Sequence, residues 1–118
     1  MALPALECDL FAVRSLLGVT LFVEHATIDV TPGREIEWEG TLDRALPLIS
    51  ASPGCEGVRV LRCIEAPNRY LLLIEWQTMD DHLVGFQGSE RYASWRQLVH
   101  EFPIASTPSE HYSLVIQH

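Results

Sequence analysis

Apolar positions along the chain follow two rhythms. Residues 20–30 (TLFVEHATIDV) are rich in β-branched and aromatic side chains and stop at Thr31-Pro32-Gly33, as a strand that ends in a turn does. Trp38, Leu42, Ala45, Leu46 and Ile49 then recur at helical intervals, with Thr31 as the expected cap and Pro32 in the first helical position. Pro47 has no N–H to bond back to Asp43, which predicts a kink or break there. Residues 58–65 and 70–77 are two further strands, and the Ala66-Pro67-Asn68-Arg69 reversal between them predicts a hairpin. Thr78 and Asp81 have the spacing of a capping box, and Ser89 is a second N-cap, ahead of Tyr92, Trp95, Leu98, Val99 and Phe102 at helical spacing. The second helix is therefore expected as a short turn and a longer amphipathic piece, hinged at residues 85–88. A loop over 103–108 and a strand over 110–117 follow.

The order β-α-β-β-α-β is that of an α+β, ferredoxin-like split βαβ domain, an antiparallel four-stranded sheet with both helices on one face. The strand Tyr70-Leu-Leu-Leu-Ile-Glu-Trp76 is apolar at nearly every position, which is expected when both faces of a strand are buried. Two helices cover one side only. The other side then calls for the sheet of a second copy, in a homodimer through sheet-to-sheet packing. Residues 20–118 are expected to form the domain. Residues 1–19 are an N-terminal extension in which 9–17 have the spacing of a short helix capped by Asp9.

Composition narrows the functions. The 118 residues are 47% apolar and 20% charged, sized for one packed core. A net charge of −8 and eight scattered basic residues argue against nucleic acid and against anionic membrane surfaces. Three cysteines without a CxxC pair leave at least one thiol free, which fits a reducing cytoplasm. Glu7 and Asp9 precede Arg14, so the apolar opening lacks the basic start of a secretory signal.

Several segments resemble the antibiotic biosynthesis monooxygenase (ABM) domain family: Val30-Thr-Pro-Gly-Arg-Glu35, Pro53-Gly54, Leu73-Ile-Glu-Trp76 and Phe86-Gln-Gly-Ser-Glu-Arg-Tyr92, across roughly residues 21–112. The resemblance implies a dimeric α/β barrel with a pocket between each sheet and its helices. It also implies oxygenation of phenol, quinol or anthrone-type aromatics by molecular oxygen without metal or flavin, or haem cleavage in one branch. That chemistry needs a dry aromatic cavity, a base for a phenolic proton and donors for developing oxyanions. Phe86 stands where many members carry a His, which motivates the alternative of a non-catalytic or stress-associated ligand-binding dimer. His25-Ala26, Phe86 and Trp95-Arg96 depart from the haem-degrading pattern of Asn, Trp and His.

Within that frame His25 and His82 are the candidate bases. Alternation along strand one puts His25 with Leu21, Val23 and Thr27, and Glu24 with Phe22, Ala26 and Ile28, so one of the two points into a buried space. The bland alternative for His25 is a satisfied structural or dimer-interface hydrogen bond, and for His82 an exposed helix start. His111, in Glu110-His111-Tyr112, echoes Glu24-His25 on a neighbouring strand and is expected to approach His25. Trp76, Phe86 and Trp95 are candidate substrate walls, and Arg62 is the candidate buried cation, as anion anchor or partner of Glu75. Two His without a third ligand at metal spacing make a poor case for zinc.

Overall fold

The computed structural model describes residues 21–102 and 104–118, so the helix expected at 9–17 lies outside the described residues. Strand β1 (Phe22–Val30) is followed by helix α1 (Glu35–Ser50), β2 (Cys55–Arg62), β3 (Arg69–Trp76), a π-helical turn (Asp81–Phe86), α2 (Glu90–His100), β4 (Ile104–Ser106) and β5 (Glu110–Ser113). Sheet order is β2-β3-β1-β4, with β5 also on β1, and every pairing is antiparallel. The ferredoxin-like expectation holds, with an open sheet.

Helix α1 starts later than its sequence cue. Thr31 to Gly33 form a turn, Gly33 takes φ 96°, and Arg34 is the N-cap. The helix is continuous through Pro47, which sits on the exposed side, so the expected break does not occur. Its buried stripe is Trp38, Thr41, Leu42, Ala45 and Ile49. Gly54, at φ 84°, leads into β2; a Cβ there would collide with the Asp81 carboxyl. This close approach seats the end of α1 against the start of the π-turn.

The last expected strand is split. β4 pairs with the end of β1 (Ile28↔Ser106) and β5 with its start (Glu24↔His111). Residues 107–109 bridge the two, and Pro108 has no N–H for a ladder. Thr107 keeps the bridge on β1: its N–H donates to Thr27 O (2.9 Å), and its hydroxyl accepts from Thr27 N–H (3.0 Å).

The helix-facing side of the sheet holds two apolar clusters. One gathers Ile28, Val30, Trp38, Leu42, Tyr70 and Val99; the other Ile49, Leu72, Ile74, Trp76 and Phe86. The opposite face carries Val23, His25, Leu71 and Leu73, half-buried, with Leu61 and Tyr112 more exposed.

Candidate active site

A cavity of about 410 Å³ opens between the sheet and α2, walled by Ile28 and Val99 from the first cluster and by Leu72, Ile74 and Phe86 from the second. Its size lies within the range of small-molecule sites, roughly 300–1,000 Å³. Tyr92 and Trp95 add aromatic wall from α2, and Thr107 and Ser109 come from the bridge before β5. The sheet wall is apolar at Ala26, Ile28, Leu72 and Ile74; Glu24 and His82 enter beside it, and Gln87, Arg96 and His100 add polar groups from the helical side.

Glu24 is 5% exposed. Alternation on β1 puts it with Ala26 and Ile28, on the helix side, where the apolar cores lie. Both its oxygens are engaged: Trp76 Nε1–H donates to Oε1 (3.0 Å) and Ser109 Oγ–H to Oε2 (2.8 Å). His82 Nε2 lies 3.3 Å from Oε1. A carboxylate taken out of water is tolerable only with such partners.

His82 is delivered by the π-turn. Thr78 and Asp81 form the capping box read from the sequence, with Thr78 N–H donating to Asp81 Oδ2 and Asp81 N–H to Thr78 Oγ (both 3.1 Å). The wider π-turn closes on Gln87 N–H to His82 O (3.0 Å), and Ser89 then caps α2 through Tyr92 N–H (3.4 Å). Only 3% of His82 is exposed. Its ring stacks on Trp76 at 5.3 Å between centroids and 18° between planes, and its Nδ1 lies 2.7 Å from His111 Nε2. Burial pushes the His82 imidazole below its usual pKa; Glu24 opposes that shift and His111 adds to it. That direction favours the neutral imidazole.

The structure brings together Trp76, His82, Phe86 and His111 and leaves out two of the expected residues. Trp95 lines the cavity farther along α2, while Trp76 and His111 stand behind Glu24 and His82 rather than in the wall. His25 is corrected to the opposite face of β1, beside Val23, Leu73 and Tyr112, whose ring it meets edge-on at 5.6 Å. It does not approach His111, because the β1–β5 register sets His25 against Glu110 and Glu24 against His111. A one-residue offset in register exchanges the faces. Arg62 is corrected to an exposed cation at the end of edge strand β2, donating from Nε to Pro67 O (2.6 Å) and reaching Glu39 at 3.5 Å. Glu75 on the other face meets Arg59 instead, at 3.7 Å.

Glu24 and Ser109 were missed as site residues. Glu24 had a signal, its place among Phe22, Ala26 and Ile28. Ser109 had none, since only the return of the bridge onto β1 brings it near. Cys55 and Cys63 are free thiols, and burial pushes the Cys55 thiol up, away from nucleophilic use. Among the described residues no cluster of His, Cys, Asp and Glu is arranged to hold a metal ion, and no helix is long and apolar enough to cross a membrane.

An antiparallel sheet roofed by two helices, with a cavity between them, is a ferredoxin-like α+β fold. Residues 21–98 match the family model for antibiotic biosynthesis monooxygenase, and the chain belongs to that family. It is 37% identical over 89 residues to YczJ, an uncharacterized protein of Bacillus subtilis (strain 168), covering 75% of this chain and 94% of YczJ. A Bordetella bronchiseptica crystal structure assigned to the antibiotic biosynthesis monooxygenases is 40% identical, with TM-score 0.75 over 82% of this chain and 99% of that one. SnoaB from Streptomyces nogalater, a cofactor-independent oxygenase, shares the fold at TM-score 0.65 and 18% identity, over 84% of this chain and 95% of its own.

Proposed function

We propose that the chain is a cofactor-independent monooxygenase of aromatic small molecules bearing a phenol, a quinol or an anthrone-type methylene. The observation that carries this reading is a buried, three-partnered carboxylate in a cavity whose sheet wall is aliphatic and whose helical side carries Phe86, Tyr92 and Trp95. The flat ring system lies between Phe86, Trp95 and the sheet, and its acidic O–H or C–H faces Glu24. Glu24 takes that proton, and the resulting anion is electron-rich enough to pass an electron to molecular oxygen. Recombination forms a carbon–oxygen bond as a peroxide. For a methylene substrate the peroxide then loses water and leaves a carbonyl, so one O₂ yields one ketone oxygen and one water. The donors around Glu24 hold it in place through this sequence and keep water from competing.

The working unit in this proposal is a homodimer in a reducing cytoplasm. Its support is the open face of the sheet, where Val23, Leu71 and Leu73 have no covering helix among the described residues. A second reading, a dimer that binds aromatic ligands without converting them, is favoured by Phe86 where many relatives carry a His.

Oxygen uptake with hydroquinones, dihydroxynaphthalenes and anthrones separates the two. Turnover above autoxidation, lost in Glu24→Gln, is the expected result. Tight binding of ligands recovered unchanged would establish the second reading.

A further inference from the structure

Two members of the polar cluster, Ser109 and His111, lie beyond the residues that match the family model. The bridge before β5 and β5 itself thus complete the site. His111 faces Glu24 across the β1–β5 ladder, and its ring meets that of His82 at 4.9 Å between centroids with 46° between planes.

Nitrogen–nitrogen contact at 2.7 Å holds a single proton between the rings. His82 has one nitrogen toward His111 and the other toward Glu24. A carboxylate oxygen that already accepts from Trp76 can only accept again, so His82 Nε2 carries the proton that faces it at 3.3 Å, and the Gln87 amide, 3.4 Å from the same nitrogen, then turns its oxygen toward it. A neutral imidazole then has a bare Nδ1, and His111 Nε2–H is the donor to it. We propose that His111 is a positioning residue that fixes His82 as the Nε2–H tautomer, aimed at the Glu24 carboxylate. The ionisable groups facing His82 are Glu24 from β1 and His111 from β5; Gln87, Trp76 and Phe86 complete its surroundings without charge. In the oxygenation proposed above, on which the catalytic consequence rests, this keeps a donor on Glu24 as the carboxyl takes up and returns the substrate proton. Without His111 both tautomers of His82 become available, and the Nδ1–H form turns a lone pair toward the carboxylate.

Imidazole ¹⁵N NMR of the full-length protein at neutral pH, without substrate, reads the tautomer directly. The expected spectrum has a protonated Nε2 and an acceptor Nδ1 on His82, a mixed signal in His111→Ala, and restoration in His111→Gln, whose side-chain amide can donate. Turnover should fall about 10- to 100-fold in His111→Ala and recover in His111→Gln. An Nδ1–H tautomer in the unaltered protein, or an unchanged His82 signal in His111→Ala, overturns the inference. The tautomer result obtained without any oxygenation supports the positioning role and overturns the proposed function alone.

Discussion

The two faces of β1 differ in what they do with adjacent polar residues. On the helix side Glu24 is buried and has a partner for each oxygen. On the open side His25 is half-buried, its Nδ1 is enclosed without a hydrogen-bond partner among the described residues, and its neighbours are Val23, Leu73 and Tyr112. One face has gathered donors around a carboxylate in a cavity; the other sets Val23, Leu71 and Leu73 around an unpartnered ring nitrogen, with the Arg59–Glu75 and Arg69–Asp29 pairs beside them. In the proposed function, adjacent residues on a strand serve separate tasks, ligand chemistry and association, with the sheet as the partition.

The largest expected effect that would break this contrast is on turnover. Glu24→Gln keeps the shape and removes the proton acceptor, and should lower kcat/KM by roughly 10²–10⁴. His25→Ala should leave kcat/KM unchanged. The reverse pattern, read in the same oxygen-uptake assay, would exchange the roles of the two faces.

Next in size is the effect on association. Leu73→Asp puts an unpaired carboxylate in the middle of the open face and should weaken the proposed dimer by about 3 kcal/mol, roughly 100-fold in dissociation constant. Sedimentation equilibrium measures it, and an unchanged constant would remove the open face from the interface.

A smaller change sharpens the helix side. Trp76→Phe keeps an aromatic ring beside His82 but removes the N–H donated to Glu24, and should cost about 1.5–3 kcal/mol in urea unfolding. The smallest effect is in pH. The folded state lowers the His82 pKa, so the unfolded chain binds its proton more readily. The stability from the neutral imidazole is complete above the ordinary His value of about 6.5 and is lost as pH falls below it, through the lowered folded value. His82→Gln should flatten that acid limb of urea midpoint against pH, and an unaltered limb would assign it to other groups.

Much of this architecture was legible from spacing. The capping box at Thr78 and Asp81, the Ser89 cap and the hairpin between β2 and β3 are local, and each formed as its residues predict. Helix α1 departed at both of its prolines. Pro32 went into the turn rather than the first helical position, and at Pro47 the packing of Trp38, Leu42, Ala45 and Ile49 holds the helix continuous across one missing N–H. The site was harder to read because it depends on register. Choosing between Glu24 and His25 required knowing which side the helices cover, and His111 follows from the offset that sets it against Glu24. Arg62 misled because β2 is an edge strand: its end lies at the rim of the sheet, where a guanidinium stays in water.

The central claim, that ligand chemistry belongs to the Glu24 face, is tested most directly by methyl NMR during an anaerobic titration with a dihydroxynaphthalene. Shifts at Ile28, Leu72, Ile74 and Val99, which line the cavity, with Val23, Leu71 and Leu73 unmoved, are the expected result. Shifts confined to Val23, Leu71 and Leu73 would contradict it.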